Sequence, residues 1–279
     1  MSNEAQRERA ARLAQLHRGP KILVLPNAWD VASARIFELA GFAAIGTTSG
    51  GIANSHGYPE PQRIPREEML AAVAQIARAV ALPLSADIEA GYGSSPSAIA
   101  ETARATIEAG AVGINLEDSP GIGASPLMEI AGQQDRIRAV RETAAKMDIP
   151  ILINARTDVY LRAVGEASSR FDNVVARAHA YRQAGADSSF VPGVADLDLI
   201  RQLARAIEGP LNVLVQAGMP PTSELEKLGV ARVSLGSGPM RAAMGLVRRI
   251  ARELLDSGTY TSILEGAIPY AELNQILGS

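Results

Sequence analysis

Short apolar segments alternate with longer segments of helical periodicity along almost the whole chain. The apolar segments cover residues 22–26, 43–47, 84–88, 113–117, 151–156, 188–191, 211–215 and 232–235. Helical periodicity covers residues 30–40, 66–80, 96–109, 133–145, 173–184, 196–206 and 222–227. Strands that alternate with helices form βαβ units and a parallel sheet. About eight such units in 279 residues predict an α/β fold of the TIM (β/α)8 barrel type.

The chain has no low-complexity segment or linker that would divide it. Several helices end in an Ala-Gly pair, as at Gly41, Gly110 and Gly185, where glycine is a typical C-cap. We therefore predict one domain over residues 1–279, with an N-terminal helix over 1–18 and a helical extension over 239–279. The helix over 239–255 is expected to close the barrel, and a surplus helix over 267–277 to pack across the barrel end or on a partner subunit.

Composition excludes several classes of function. The net charge of −3 and the pI near 5.7 argue against a nucleic-acid partner, which would require a basic surface. The absence of cysteine excludes disulfides, thiolate zinc sites and a cysteine catalyst. No run approaches the roughly 18 apolar residues of a membrane span, and residues 1–18 lack the apolar core of a signal peptide. We expect no membrane partner and a cytoplasmic location.

Two of the predicted strands end in pairs of acidic residues. Asp87 and Glu89 follow the third strand, and Glu117 and Asp118 follow the fourth. Residues i and i+2 of a strand project to the same face, so Asp87 and Glu89 can point into one cavity. Mg²⁺ binds a few carboxylate oxygens together with water and substrate oxygens. The pattern predicts a divalent-cation site at the barrel mouth; the alternative is that the acids cap strand ends or form ion pairs.

Other strand ends predict groups that bind anions. The backbone amides of Ser49, Gly50 and Gly51, in a predicted loop, could bind a carboxylate or an enolate oxygen. Arg156 could hold a substrate carboxylate through two hydrogen bonds. Its alternative is a structural salt bridge to a nearby acid such as Asp158 or Glu117. A cation, an anion-binding loop and an arginine together predict a site for a small 2-oxo acid.

Two further residues have open assignments at this stage. Trp29 follows the first strand, where it could line the pocket or pack in the core. His56 lies in the predicted loop after the glycines and could transfer a proton or be an ordinary loop residue. No two histidines have ligand spacing, so a histidine metal site is not expected.

The ordered motifs resemble those of the isocitrate lyase / phosphoenolpyruvate mutase superfamily, over about residues 23–240. The matching phrases are Asn-Ala-Trp-Asp, Thr-Ser-Gly-Gly, Asp-x-Glu-x-Gly-Tyr-Gly, Leu-Glu-Asp, Asn-Ala-Arg-Thr-Asp, Pro-Leu-Asn-Val-Leu and Gly-Val-Ala-Arg-Val-Ser-Leu-Gly. The resemblance implies a modified barrel whose last helix is exchanged between subunits, in a homo-oligomer that is usually a tetramer, a dimer of dimers.

The resemblance also implies a chemistry and a set of site residues. It implies a Mg²⁺-dependent enzyme, with Mn²⁺ as a substitute, that makes or breaks a C–C or P–C bond beside a 2-oxo or 2-hydroxy acid through a metal-bound enolate. By position, the residues implied to hold the metal are Asp87, Glu89 and Glu117. Those implied to contact substrate are Ser49, Gly50, Gly51, Arg156, Trp29 and Asn212. Arg156, Glu117 and Asp87 are also implied to be catalytic.

The segment after the fourth strand departs from the family pattern. Isocitrate and methylisocitrate lyases have a Lys-Lys-Cys-Gly-His signature there, whereas residues 119–127 contain no Cys, Lys or His. Phosphonate enzymes have lysine where this chain has Ser119. Isocitrate and methylisocitrate lyase activities are therefore disfavoured, and oxaloacetate-type decarboxylation or aldol-type cleavage is favoured over phosphonate chemistry. A catalytically silent 2-oxo-acid-binding barrel is the alternative from another class. Glycines and prolines in residues 119–134 predict a lid over the site.

Overall fold

The structure is a computed structural model that describes residues 2–120 and 126–278. Its strands form one sheet in which every paired neighbour runs parallel. The strands are β1 (Leu23–Leu25), β2 (Asn27–Ala28), β3 (Ile45–Thr47), β4 (Leu84–Asp87), β5 (Gly113–Glu117), β6 (Leu152–Arg156), β7 (Ser188–Val191), β8 (Leu211–Leu214) and β9 (Arg232–Ser234). The predicted α/β barrel is confirmed.

The first barrel strand is interrupted at Pro26, which has no N–H to donate. Its first half, β1, pairs with β9, and its second half, β2, pairs with β3. Asn27 joins these two sides of the barrel. Its Nδ2 donates to the Thr47 carbonyl (2.7 Å), and its Oδ1 accepts from the amides of Leu235 and Gly236 (2.8 and 2.9 Å).

Helices surround the sheet and extend beyond it at both ends of the chain. They are α1 (Asn3–Arg18), α2 (Val31–Leu39), α3 (Ser49–Ser55), α4 (Arg66–Ala79), α5 (Pro96–Glu108), α6 (Ile130–Lys146), α7 (Arg170–Gln183), α8 (Leu197–Ala206), α9 (Thr222–Lys227), α10 (Gly238–Ser257), α11 (Thr261–Leu264) and α12 (Tyr270–Gly278). No helix within 2–120 or 126–278 is both long and apolar enough to cross a membrane.

The first helix, α1, closes the end of the barrel where the strands begin. Leu13 and Ala10 are fully buried in a cluster with Leu23 and Val112, which lie at strand starts. A Cβ on Gly113 would lie only 2.8 Å from Cδ2 of Leu13, so the helix packs directly on the strand backbone. This floor leaves the opposite, carboxyl-terminal edge of the strands as the mouth.

The C-terminal helices differ from the expectation that residues 239–255 close the barrel. Only Met240 of α10 is buried, and this helix exposes Met244, Val247 and Leu255. The last helix, α12, packs on α2 of its own chain, where the Arg35 Nε donates to the Ile276 carbonyl (3.1 Å). The expectation that the helix over 239–255 packs on the barrel is therefore wrong.

Two other local predictions concern the loop at residues 49–51 and the lid at residues 119–134. The loop predicted at residues 49–51 is wrong, because these residues form the first turn of α3, whose N-cap Thr48 accepts from the Gly51 amide (3.2 Å). Of the lid predicted over 119–134, residues 121–125 lie outside the described residues, and residues 130–134 belong to α6.

Candidate active site at the barrel mouth

Asp87 ends β4 and is held by the turn between β3 and α3. Its Oδ2 accepts from the backbone amide of Ser49 (3.1 Å) and from Ser49 Oγ (2.9 Å). Its own amide donates to Thr47 Oγ1 (2.9 Å). These hydrogen bonds join the ends of β3 and β4 and hold the Asp87 carboxylate at the mouth.

Glu89 follows in a left-handed backbone conformation, with φ of 52°, which is unusual for a residue with a side chain. Its Oε2 accepts from the Gln62 amide (2.7 Å), whereas its buried Oε1 has no hydrogen-bond partner among the described residues. The pKa of Glu89 is raised to about 7, mainly by burial; the charges of Asp87 and Glu60 also raise it, and the Gln62 hydrogen bond and Arg156 lower it.

Glu117 ends β5 and forms an ion pair with Arg156 on β6 (2.8 Å). Arg156 also donates to both carboxylate oxygens of Asp158 (2.6 and 3.1 Å). Burial raises the pKa of Glu117 to about 8 despite the arginine. Burial disfavours the charged form of Arg156, yet Glu117 and Asp158 raise its pKa above the ordinary value. The salt bridges considered as the alternative for Arg156 do form.

Glu60 is a site residue that the sequence analysis missed. Ser49 Oγ lies 3.2 Å from Glu60 Oε1, so one hydroxyl touches both Glu60 and Asp87. A Cβ on Gly50 would lie 2.5 Å from Cδ of Glu60, which places the carboxylate directly over this glycine. Burial and the charge of Asp87 raise the pKa of Glu60. The available signal was an acid between Pro59 and Pro61, soon after the glycine motif.

The predicted anion-binding amides are partly engaged within the protein. The Ser49 amide donates to Asp87, and the Gly51 amide donates to the N-cap Thr48. Trp29 is partly buried against the main core cluster, and its Cβ would lie 3.0 Å from a Cβ on Gly51. Packing of Trp29 against the core is therefore seen, whereas its role as a pocket wall stays a prediction.

Three other candidates make their described contacts outside the carboxylate cluster, and the predicted substrate contact of Asn212 stays a prediction. Asn212 is fully buried, and its Oδ1 accepts from Ser234 Oγ (3.1 Å). Asp118 is also fully buried and accepts from Arg177 Nη1 (3.1 Å) and Tyr181 Oη (2.8 Å), so it joins β5 to α7. His56 caps the end of α3, with Nδ1 2.9 Å from the Ile52 carbonyl oxygen.

The acidic groups have the chemistry of a cation site but are not in a preformed coordination sphere. Across the described ranges, no three His, Cys, Asp or Glu side chains are arranged to hold a metal ion. The acids nevertheless raise one another's pKa, and the buried Glu89 Oε1 has no partner there. Carboxylates that repel each other and leave an acceptor unsatisfied fit Mg²⁺, which takes oxygen ligands. The triad of Asp87, Glu89 and Glu117 stays a prediction.

A parallel α/β barrel with acidic residues at its mouth is typical of a TIM-barrel enzyme. Comparison with known proteins identifies the family. The family model for phosphoenolpyruvate phosphomutase matches residues 13–255. An uncharacterized protein of Mycobacterium tuberculosis H37Rv is 38% identical, over 92% of this chain and 93% of its own. The 2-methylisocitrate lyase of Escherichia coli K12 is 31% identical, over 83% and 79% of the two chains.

Solved structures agree with this assignment. A provisional lyase/mutase from Burkholderia cenocepacia J2315 has 38% identity and a TM-score of 0.92, over 99% of this chain and 98% of the other. A phosphonopyruvate hydrolase solved with oxalate and Mg²⁺ has the same fold, with a TM-score of 0.84 at 24% identity over 97% and 95% of the two chains. This chain belongs to the isocitrate lyase/phosphoenolpyruvate mutase superfamily, as its motifs predicted.

Proposed function

We propose that this protein is a Mg²⁺-dependent carbon–carbon lyase that acts on a small 2-oxo or 2-hydroxy carboxylate. The reaction is aldol-type cleavage or oxaloacetate-type decarboxylation. The observation that carries the proposal is a cluster of four carboxylates at the barrel mouth, those of Glu60, Asp87, Glu89 and Glu117. Among the described ion pairs, only the one from Arg156 to Glu117 neutralises a member of this cluster. The similarity to a 2-methylisocitrate lyase supports carbon–carbon cleavage.

Asp87, Glu89 and Glu117 would hold the cation. Bound Mg²⁺ would supply a Lewis acid that stabilises negative charge on a substrate oxygen. The protein contributes the fixed geometry: Ser49 orients Asp87, the Gln62 amide orients Glu89, and Arg156 orients Glu117.

Glu60 is the group best placed to move a proton. Its carboxyl group lies over Gly50, and its raised pKa keeps it protonated to higher pH than an ordinary carboxyl group, which favours a role in proton transfer. Cleavage of a 2-hydroxy acid requires removal of the hydroxyl proton as the C–C bond breaks. Decarboxylation of a 2-oxo acid needs no proton on its departing CO2, which suits a segment at 119–127 without Cys, Lys or His. The guanidinium of Arg156 would orient the substrate carboxylate.

A substrate screen tests the proposal. Purified protein with Mg²⁺ is incubated with 2-oxo acids, 2-hydroxy diacids and phosphonopyruvate, and pyruvate or glyoxylate is measured. We expect turnover of an oxaloacetate-like or 2-hydroxy acid that EDTA abolishes and Glu89→Gln reduces, while Glu101→Gln on the exposed face of α5 has no effect. Turnover of phosphonopyruvate alone would instead indicate P–C chemistry. Binding of 2-oxo acids without turnover of any would indicate the silent barrel.

We also propose that a second copy of the chain covers α10, in a homo-oligomer. The exposed apolar side chains of this helix include Met244, Val247, Leu254 and Leu255, the last of them 87% exposed. An apolar stripe of this kind on a 20-residue helix is typical of a helix that packs on another surface. A symmetric contact would bury it reciprocally. Mass photometry tests this, and a monomer at micromolar concentration would contradict it.

A further inference from the structure

We propose that Arg136 is a positioning residue for the cation site, because its guanidinium holds the backbone segments that carry Glu89 and Glu117. The inference rests on the proposed function, since it concerns the same site. It assigns a role to a residue on α6 that lies outside the cluster of carboxylates.

The hydrogen bonds of Arg136 converge on two strand ends. Its Nη2 donates to the carbonyl oxygen of Ala90, the residue after Glu89. Its Nη1 lies 3.4 Å from the carbonyl oxygen of Glu117 itself. One planar group therefore joins the backbones at the ends of β4 and β5, beside two predicted metal ligands. The direct backbone link between them, from the Glu117 amide to the Glu89 carbonyl, is 3.1 Å.

The guanidinium is itself held in place from α6. Gln133, one turn earlier, accepts from Arg136 Nη1 through Oε1 (2.5 Å), and its Nε2 lies 3.4 Å from the Leu116 carbonyl oxygen. Met128 Sδ lies 2.7 Å from the same Nη1. The arginine therefore also contacts Met128. The backbone amide of Met128 donates to the carbonyl oxygen of Asp118 (2.7 Å), the residue after Glu117.

The position is unusual for a charged residue. Arg136 is only 1% exposed, and no carboxylate in the described chain lies within ion-pair distance of it. Arg156 and Arg177 both pair with acids, whereas Arg232 on β9 is fully buried and, like Arg136, has no ion pair in the described chain. Burying a charge without a partner ion is costly, so the hydrogen bonds of Arg136 to the strand ends must carry the compensation. A lysine keeps the charge but lacks the fork that reaches both carbonyls.

The segment that Arg136 holds has an unusual backbone conformation at Glu89. The φ of 52° there is strained for a residue with a side chain and persists only when neighbouring groups hold it. Without the bond to Ala90, the segment can relax and turn the Glu89 carboxylate away from Asp87 and Glu117. Groups that orient metal ligands typically change metal affinity about 10- to 100-fold when mutated.

The experiment measures Mn²⁺ binding by the intact protein, through the EPR signal of free Mn²⁺ and by calorimetry. Wild-type protein and Arg136→Lys are compared with Arg141→Lys. Arg141 lies on the same helix and donates to the carbonyls of Ile151 and Gly185, at the opposite end of the barrel. We expect the dissociation constant of Mn²⁺ to rise at least tenfold in Arg136→Lys and less than twofold in Arg141→Lys, although both variants melt earlier.

The outcomes separate the two proposals. Absence of Mn²⁺ binding by wild type, or binding that Glu89→Gln leaves intact, overturns the cation site and this inference with it. Wild-type binding that depends on Glu89 but is within twofold in Arg136→Lys overturns only the role of Arg136. If Arg136→Lys does not fold, Gln133→Met removes the acceptor that fixes Nη1, and we expect a smaller loss of affinity in the same direction; unchanged affinity in that folded variant overturns the inference.

Discussion

Replacing Gly50 by alanine should disable the site without destabilising the fold. The new Cβ would lie 2.5 Å from Cδ and 2.7 Å from Oε1 of Glu60. Ordinary contact begins at 3.4 Å, so the carboxyl group has to retreat by about 0.9 Å, away from Ser49. Displacement of a reacting group by roughly 1 Å costs about 100-fold in rate. We expect kcat/KM to fall about 100-fold on whichever substrate the screen identifies.

The same substitution at Gly132 is the matched control. Gly132 also lies in a helix, and a Cβ there would meet nothing within 4 Å. Alanine should leave activity unchanged and should not destabilise the helix, because alanine has the higher helix propensity. Shortening the acid in Gly50→Ala/Glu60→Asp should restore part of the lost activity, because the carboxyl group gains room. Full activity of Gly50→Ala with Tm unchanged would refute a role for Glu60 at this position.

Three further predictions concern metal, pH and assembly. Asp87→Ala should weaken Mg²⁺ binding severely, and full turnover in metal-free protein would exclude the cation. In metal-free protein the folded-state pKa values of Glu89 (about 7) and Glu117 (about 8) exceed the ordinary 4.5, so the folded state retains protons that the unfolded chain has lost. Tm should therefore fall as pH rises from 6.5 to about 8, and saturating Mg²⁺ should reverse the fall; a rising Tm in EDTA would contradict these shifts. Deleting residues after Gly266 removes α12 and exposes the α2 surface that it covers, so we expect aggregates by mass photometry; an unchanged assembly would show that α12 does not support it.

The barrel could be predicted from sequence because its signals are local. Apolar segments and glycine C-caps recur with each unit, and the strands predicted at 113–117 and 188–191 have those bounds in the structure. Parallel strands bring their carboxyl ends to one edge, so acids such as Asp87 and Glu117 were expected to meet. The alternation of strand side chains also explains Asp118, which follows Glu117 and therefore faces the helices rather than the mouth.

The role of Glu60, helix α3 and the position of α10 could not be predicted, because they depend on contacts that local sequence patterns do not show. Glu60 reaches the site from a loop, and its partner Ser49 lies in a helix that glycine-rich residues do not favour. The capping hydroxyl of Thr48 stabilises this helix against its propensity. The helix over 239–255 was predicted on the barrel because an eight-fold barrel needs one helix after its last strand. Its sequence does not distinguish packing on its own barrel from packing on another chain.

Helix α1 covers the end of the barrel opposite the mouth. Leu13 is fully buried against Gly113 at that end, so in the described chain substrate and products are expected to use the mouth. A carbon–carbon cleavage yields two molecules, and both must then depart past the same carboxylates. The product that binds deeper would leave second, so product release would be ordered. Inhibition by the two products should consequently differ in type, with the last one to leave competing directly with substrate.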